Sequence, residues 1–256
     1  MVTSNLLGGL GNYMFQITTA YAYSLNNNCE HIFNFNDCLK VHQPIQNYLD
    51  NILRNVNFVN KELPFTNTYS EPFFHYKKIP PTKNVKLHGY YQSEKYFVDN
   101  RKEILDLYCI DDKSMDTINN KYGKILEKNT CSLHVRRGDY LGLSDHHPTC
   151  NLGYYNKAMK LLPKNTQYLV FSDDIEWCKD VFNGDNFVFI DGNPDYIDLW
   201  LMSLCKNNII ANSSFSWWGA WLNRDKNKKV VAPKKWFGKA ITHNTNDLIP
   251  TGWEKV

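Results

Sequence analysis

The residues best suited to chemistry lie in one run, Ser132-Leu133-His134-Val135-Arg136-Arg137-Gly138-Asp139-Tyr140. Residues 130–135 mix β-branched and apolar side chains, which predicts a buried strand. Arg136 and Arg137 follow directly, and a guanidinium matches phosphate oxygens in a bidentate fashion. Gly138 allows a sharp turn, and Asp139 can brace one guanidinium by pairing with it. The run predicts an anion site at a strand end, with a surface salt-bridge cluster as the alternative.

A pair of carboxylates ends a second predicted strand. Asp173 and Asp174 follow strand 167–171. Because the carboxyl ends of parallel strands share one edge of a sheet, these carboxylates should converge with the arginines on one crevice. A carboxylate there could accept from the N1–H and the exocyclic amine of guanine. Capping of predicted helix 175–182 is the alternative, and one aspartate could cap while the other binds.

Two serines follow the end of predicted strand 207–211, as the arginines and the aspartates follow the ends of their strands. Ser213 and Ser214 directly precede predicted helix 215–223, so the N-terminus of that helix should face the same edge. Backbone N–H groups and the helix dipole favour an anion at such a terminus. Arginines, serines and carboxylates on one edge would together suit a nucleoside diphosphate.

The N-terminal residues form a second motif, Gly8-Gly9-Leu10-Gly11-Asn12. It lies between predicted strand 2–7 and predicted helix 13–25, a setting in which backbone N–H groups meet an anion or a sugar. The spacing is not Gly-x-Gly-x-x-Gly, so it does not predict a dinucleotide fingerprint. A tight turn without a ligand is the alternative.

The second half of the chain alternates predicted strands with predicted helices of about ten residues. The strands are 130–136, 167–171, 186–190, 207–211 and 229–232, and the helices are 153–162, 175–182, 194–205 and 215–223. This alternation predicts an α/β protein with a parallel sheet and right-handed crossovers, a Rossmann-like domain.

The first half is less regular. It holds predicted strands 2–7, 31–35 and 85–91 and predicted helices 13–25 and 94–107. Residues 36–84 are rich in proline and aromatic side chains and predict loops and short helices. The domains are predicted as 1–125 and 126–256.

Composition narrows the class of protein. The chain has 256 residues, 43% hydrophobic and 14% aromatic, which indicates a globular protein. A net charge of +3 argues against general nucleic-acid binding. Seven cysteines without Cys-x-x-Cys indicate free thiols in a reducing compartment. The absence of a signal peptide or spanning run predicts a cytoplasmic location and leaves peripheral membrane contact open.

These motifs resemble those of the α-1,2-fucosyltransferases of glycosyltransferase family 11. The resemblance rests on residues 8–16, 134–140, 171–178 and 212–218, in the order that the family has them. Tyr13 departs from the pattern, which usually has glutamine at that position.

The resemblance implies a GT-B fold, with two Rossmann-like domains facing each other across a cleft. The C-terminal domain would bind GDP-β-L-fucose, and the N-terminal domain would help bind the acceptor. The reaction would invert the anomeric centre and place fucose on O2 of a terminal galactose. The implied catalytic residues are Arg136, Arg137, Asp139 and Asn12, and the implied donor-binding residues are Gly9, Gly11, His134, Arg136, Asp173, Asp174, Ser213, Ser214 and Phe215.

No aspartates stand two residues apart, so the Asp-x-Asp metal motif of other glycosyltransferases is missing. The arginines can supply the positive charge, and we expect no metal and no cofactor besides the donor. The sequence does not single out a general base, for which Asp139, Asp145 and His146 are candidates. An inactive GDP-sugar-binding protein and a fucosyltransferase of another linkage or acceptor remain alternatives.

Overall fold

The structure is a computed structural model that describes residues 1–41 and 44–256, with the side chains of 40 and 41 excepted. His42 and Gln43, within the predicted loop region 36–84, lie outside the described residues. The described chain divides into two compact units. Unit 1 is Met1–Ile110 with His243–Pro250, and unit 2 is Asp111–Thr242 with Thr251–Val256. This division precedes the predicted boundary at 125, because helix 112–126 packs on helix 195–204 of unit 2.

Unit 1 is built from short parallel strands around one long helix. Its strands are β1 (Val2–Ser4), β2 (Leu6–Gly8), β3 (Phe33–Asn34), β4 (Cys38–Val41), β5 (Phe58–Val59), β6 (Asn67–Ser70) and β7 (Val85–His88), and its α-helices are α1 (Leu10–Asn26) and α2 (Arg101–Leu107). Among the described residues, β1, β7 and β6 form one sheet in that order, while β2 pairs with β4 and β3 with β5.

Three predictions for unit 1 need correction. Predicted strand 2–7 is two strands, because β1 pairs with β7 while β2 turns away to β4. Region 36–84 contains β4, β5 and β6, strands of two to four residues that are too short to show a clear alternation. Predicted helix 94–107 is α2 preceded by 3₁₀ turns at Glu94–Tyr96 and Val98–Asn100. Phe97 breaks it, because its non-helical backbone (φ −150°) places its ring on Phe15.

Unit 2 follows the predicted alternation closely. Its helices are α3 (Asp112–Leu126), α4 (Leu152–Met159), α5 (Ile175–Val181), α6 (Asp195–Leu204) and α7 (Ser214–Leu222), and its strands are β8 (Thr130–Val135), β9 (Gln167–Ser172), β10 (Phe187–Ile190), β11 (Asn207–Ile209), β12 (Val230–Ala232) and β13 (Glu254–Lys255). Over the described residues these strands form one parallel sheet, in the order β10-β9-β8-β11-β12-β13. The predicted α/β architecture with a parallel sheet is confirmed.

This strand order identifies where a ligand should bind. The first three strands of unit 2 are added outward in one direction from β8, and the next three in the other direction, as in a doubly wound Rossmann sheet. The direction in which strands are added to the sheet therefore reverses between β8 and β11. Ligands of open α/β sheets bind outside the carboxyl ends of the strands at this switch point.

The part of the core of unit 2 around α7 is rich in tryptophan. Trp217, Trp218 and Trp221 of α7 are almost completely buried, and the first two meet edge to face at 5.2 Å. Trp253 near the C-terminus packs on Trp217 at 5.5 Å. Burying one large apolar side chain stabilises a fold by about 2 kcal/mol, so this group fixes α7 firmly against the sheet. No helix in the described parts of the chain has both the length and the apolar character needed to cross a bilayer.

Candidate functional site

The switch point of unit 2 carries the arginine motif. Arg136 and Arg137 directly follow β8, and residues 212–214 follow the neighbouring strand β11 after Ile210 and Ala211. Asp173 and Asp174 follow β9, which flanks β8 on its other side. The structure thus places the predicted groups of unit 2 on one edge, as expected. We call Arg136, Arg137, Asp139, Asp173 and Asp174 the arginine cluster.

Arg136 is held by carboxylates on two sides. Its Nη2 lies 2.6 Å from Asp139 Oδ1, and its Nη1 lies 2.9 Å from Asp173 Oδ2. Its guanidinium carbon lies 5.2 Å from the centre of the Tyr140 ring. Each terminal nitrogen carries two N–H groups, and 34% of the side chain is exposed. Arg136 is therefore fixed in orientation while retaining donors for an anion.

Arg137 is engaged differently. Its Nε donates to Asp174 Oδ2 at 2.9 Å, and its guanidinium carbon lies 4.0 Å from the centre of the Trp177 ring. Its backbone N–H donates to Asp173 Oδ1 at 2.9 Å, and 18% of its side chain is exposed. Arg137 is therefore held mainly by contacts within the cluster, and less of its side chain than that of Arg136 is exposed.

Both aspartates of the predicted guanine-reading pair contact arginines. Asp173 accepts from Arg136 and from the backbone of Arg137, and a Cβ on Gly138 would collide with its Oδ2. Asp174 accepts from Trp177 N at 3.4 Å and caps α5, which confirms the capping alternative for one of the pair. The reading of guanine by either carboxylate stays a prediction.

Tyr140 joins the two turns that flank the switch point. Its hydroxyl donates to the carbonyl of Asn212 at 3.3 Å, and its ring stacks on His147 at 5.0 Å. Burial raises the pKa of its hydroxyl to about 12, so the hydroxyl keeps its proton. Because the same ring lies under Arg136, Tyr140 couples the position of that guanidinium to the turn before α7.

His134 is the last buried polar side chain before the arginines. Burial, and then the positive charge of Arg136, lower its pKa to about 3, so the ring is neutral at physiological pH. Its Nδ1 has no hydrogen-bond partner among the described residues, and its ring lies 5.8 Å from Phe215. A buried polar atom without a partner is rare in a folded protein, and a ligand donor would satisfy it.

The N-terminus of α7 completes this edge. Ser213 is the N-cap residue and has an extended backbone, and its side chain makes no capping hydrogen bond within the described chain. Ser214 and Phe215 are half-buried and begin the helix. Asn212 is fixed by donating to Pro148 O and Trp236 O, both at 2.9 Å. The first N–H groups of α7 are thus positioned to bind an anion.

The glycine motif lies in unit 1. Helix α1 begins at Leu10 rather than at the predicted Tyr13, so Gly11 and Asn12 belong to its first turn and Gly9 is its N-cap. Gly8 has φ +85°, a conformation that favours glycine, and it lies against the Asn12 side chain. Asn12 Oδ1 accepts a hydrogen bond from Gln92 Nε2 at 2.8 Å.

A second amide side chain fixes the same motif. Gln16 is fully buried, and its Oε1 accepts from Leu7 N at 2.9 Å while its Nε2 donates to Gly89 O at 3.2 Å. Gln16 therefore joins the end of β2 to the residues after β7. We call Asn12, Gln16 and Gln92 the amide cluster. No role was predicted from the sequence for Gln92, Tyr140 or Trp177.

The loop 145–147, which holds the general-base candidates Asp145 and His146, makes contacts within unit 2. Asp145 Oδ1 lies 3.3 Å from Lys239 Nζ, and His147 stacks between Tyr140 and Phe237. In the described ranges, no group of three or more His, Cys, Asp or Glu side chains is arranged to hold a metal ion.

A doubly wound parallel sheet with cations and a helix N-terminus at its switch point is typical of proteins that bind nucleotides or their conjugates. The sequence profile described as Glycosyl transferase family 11 matches residues 1–255. The chain belongs to glycosyl transferase family 11, and the resemblance in its motifs is confirmed.

Relatives extend over the whole chain. An Escherichia coli protein named alpha-1,2-colitosyltransferase is 31% identical, and the match covers 100% of this chain and 99% of that protein. The O-antigen biosynthesis glycosyltransferase WbnK of Escherichia coli is 32% identical, with 98% of each chain covered.

Solved structures share the fold. Fucosyltransferase NodZ from Bradyrhizobium matches with a TM-score of 0.56 at 13% identity, over 85% of this chain and 90% of that one. NodZ alpha-1,6-fucosyltransferase soaked with GDP-fucose matches with the same TM-score and identity, over 86% and 91%. At this identity the likeness shows the α/β fold alone.

Proposed function

We propose that this glycosyltransferase moves L-fucose from GDP-β-L-fucose to O2 of a terminal galactose in a glycan, with inversion at the anomeric carbon. The observation that carries the proposal is the fixed but partly exposed guanidinium of Arg136 at the switch point of the sheet, in a chain of family 11. A fold shared with a NodZ structure soaked with GDP-fucose supports the choice of donor.

The arginine cluster would act on the leaving group. As the bond between the fucose C1 and the β-phosphate oxygen breaks, its electron pair moves to GDP and negative charge develops on the phosphate. Arg136 and the first N–H groups of α7 would stabilise that charge from fixed positions, so little reorganisation is needed at the transition state. Asp139 and Asp173 would hold the guanidinium, and Arg137 would mainly support this arrangement.

The nucleoside would lie beside His134 and Phe215. A neutral imidazole with an unpaired Nδ1 offers one acceptor, and the half-buried ring of Phe215 offers an apolar surface. Ser213 and Ser214 would contact phosphate. We retain the hypothesis that Asp173 or Asp174 accepts from guanine, which would require one of them to exchange an arginine contact for the base.

The acceptor would lie on the side of unit 1. We propose a GT-B arrangement in which unit 1 serves the acceptor and unit 2 binds the donor. Asn12, with Gly9 and Gly11 beside it, would face the junction of donor and acceptor. The acceptor O2 would form a bond to C1 from the face opposite the departing phosphate, and its proton would pass to a base or to solvent.

A second donor is favoured by one specific observation. The relative named alpha-1,2-colitosyltransferase matches this chain from end to end. Colitose is fucose without the 3-hydroxyl group, so the two donors present the same diphosphate and the same anomeric centre. A GDP-colitose transferase is therefore the alternative that a donor comparison must separate from the proposal.

The test is turnover with purified protein, GDP-fucose or GDP-colitose, and a panel of galactosides, with the product read by mass spectrometry and linkage analysis. We expect fucose on O2 of galactose, and undiminished turnover in EDTA. A clear preference for GDP-colitose would favour the second candidate. GDP binding without transfer to any acceptor would support an inactive binding protein, and restoration by Mg²⁺ or Mn²⁺ after EDTA would contradict metal independence.

A further inference from the structure

Unit 1 contains a half-buried carboxylate that the roles above leave unused. Glu71 directly follows β6, and its Oε2 accepts from Tyr90 N at 2.8 Å and from Tyr91 N at 3.1 Å. Its Oε1 also accepts from Tyr91 N, at 3.1 Å. The carboxylate is thus surrounded by the backbone that follows β7.

The fit between Glu71 and this backbone is close. A Cβ on Gly89 would lie 2.7 Å from Glu71 Oε2 and would collide with the Glu71 Cβ. Tyr91 has φ +53°, a left-handed conformation that is rare for a bulky residue. Its ring is fully buried, and its hydroxyl donates to Tyr69 O at 3.1 Å. Backbone strain of this kind persists when several contacts fix it, and it clusters at functional sites.

The same turn carries part of the amide cluster. Gln92 follows Tyr91 and donates to Asn12 Oδ1 at 2.8 Å. Gly89 O, at the other end of the turn, accepts from Gln16 Nε2 at 3.2 Å. Residues 89–92 therefore lie between the Glu71 carboxylate and the Asn12 side chain, with hydrogen bonds to both.

We propose that Glu71 is a positioning residue for the transfer reaction, whose side-chain oxygens fix residues 89–92 so that Gln92 holds the Asn12 amide toward the acceptor. This inference rests on the proposed function, in which Asn12 faces the reacting groups. The group that the Asn12 amide faces would be the sugar that carries the attacking hydroxyl.

A positioning role and a proton-accepting role make different demands on Glu71. Burial raises its pKa to about 7, against the lowering effect of the hydrogen bonds from Tyr91 and Tyr90, so both protonation states are populated near neutral pH. Positioning needs an oxygen where Oε2 accepts from Tyr90 N and Tyr91 N, which a glutamine also supplies, while its amide nitrogen gives up the second contact with Tyr91 N. Removal of a proton from the acceptor needs the carboxylate itself.

The test compares Glu71→Gln with Glu71→Ala. We expect Glu71→Gln to keep most of kcat, and Glu71→Ala to lower kcat by about tenfold or more, because a small displacement of a group at the reaction centre is costly. The KM for the donor should be unchanged in both. Glu62→Ala, which removes an exposed carboxylate of the same unit, is the matched control and should leave kcat unchanged.

Gln92→Met tests the same connection from its other end. It removes the amide that donates to Asn12 and leaves Glu71 in place, so it should lower kcat about as much as Glu71→Ala. In the double variant the two losses should combine to much less than their product, because both act on one connection. If Glu71→Ala does not fold, Gln92→Met decides the matter alone.

Other results would overturn the inference. A Glu71→Gln enzyme as inactive as Glu71→Ala would make the carboxylate a proton acceptor, and a fully active Gln92→Met would show that the connection is not used. Hydrogen exchange at the Tyr90 and Tyr91 amides provides a readout without turnover. Exchange should accelerate in Glu71→Ala and not in Glu71→Gln. A parent without transfer activity would overturn the proposed function, whereas unchanged exchange in Glu71→Ala would overturn this inference.

Discussion

The arginine cluster of unit 2 and the amide cluster of unit 1 are fixed by different forces. In the arginine cluster, Arg136 and Arg137 contact carboxylates at 2.6 to 2.9 Å, and their side chains are partly exposed. In the amide cluster, neutral side chains bond backbone groups and one another at 2.8 to 3.2 Å. Charge is concentrated where a diphosphate would bind, and neutral hydrogen bonds predominate where we place the acceptor hydroxyl.

The difference teaches what each cluster can contribute. A guanidinium braced by carboxylates responds strongly to charge that develops during the reaction, because charged hydrogen bonds are about twice as strong as neutral ones. Neutral amides supply geometry and little charge stabilisation. Removing a charge from the first cluster should therefore cost more than removing an amide from the second.

The largest effect is expected for Arg136→Ala. The substitution removes the donors we assign to the leaving diphosphate, and we expect kcat/KM to fall about a hundredfold, or about 3 kcal/mol at the transition state. Steady-state kinetics with a folded variant measures this. Lys226→Ala, which removes an exposed cation of unit 2, is the control and should act like the parent. A kcat/KM of Arg136→Ala close to that of the parent would contradict the larger effect that we assign to the arginine cluster.

Arg137→Ala should mainly affect stability. It leaves the Asp174 carboxylate without its cation and removes the contact with the Trp177 ring. Because the pair is partly exposed, we expect the free energy of unfolding to fall by about 1 to 2 kcal/mol. Denaturant unfolding measures this change. A loss of activity as large as that of Arg136→Ala, without any loss of stability, would show that the two arginines have the same role.

Two groups, His134 in unit 2 and Glu71 in unit 1, should contribute to stability with opposite dependence on pH. The pKa of His134 is lowered from 6.5 to about 3. Between these two pH values the unfolded chain binds a proton that the folded protein does not bind, so the free energy of unfolding falls as pH decreases. The pKa of Glu71 is raised from 4.5 to about 7. Between these two pH values the folded protein holds a proton that the unfolded chain releases, so the free energy of unfolding falls as pH increases.

Two substitutions separate these contributions. His134→Gln should flatten the fall in Tm on the acidic side, and Glu71→Gln should flatten the fall between about pH 4.5 and 7. Thermal unfolding between about pH 3 and 7, with the parent as reference, measures both. If either substitution leaves the pH dependence of Tm unchanged in its range, the pKa of the corresponding group is not shifted as assigned.

The smallest effect is expected for Asp174→Asn. Asparagine caps a helix about as well as aspartate, so the start of α5 should survive and the free energy of unfolding should change by less than about 1 kcal/mol. If Asp174 reads guanine, GDP affinity should fall while stability holds, and if Asp173 reads it, that pattern should appear in Asp173→Asn instead. Unchanged GDP affinity in both would end the base-reading hypothesis.

The sequence predicted unit 2 better than unit 1 for a physical reason. Strands such as β8 are buried along their whole length, and their β-branched and apolar run is unmistakable, so the polar residues at their ends could be assigned to one edge. In unit 1 the strands are two to four residues long, and Asn67–Ser70 is largely polar. Such strands give no periodic signal, and tertiary pairing alone determines them.

The same reason explains which site residues were missed. Arg136 and Asp139 lie three residues apart, so their pairing could be predicted from spacing, and the structure confirms it. Gln92 meets Asn12 across eighty positions of the chain, and no local pattern reports such a contact. Tyr140 and Trp177 stand inside recognisable motifs, but their place under the guanidiniums depends on the fold of the turns.

The most direct test of the account is the affinity for GDP and for GMP, measured by calorimetry in the parent and in Arg136→Ala. GMP lacks the β-phosphate that we assign to Arg136. We predict that the parent binds GDP at least about tenfold more tightly than GMP, as one charge-assisted contact requires, and that this ratio falls close to one in Arg136→Ala. A ratio that is unchanged by the substitution would contradict the central claim that Arg136 holds the leaving diphosphate.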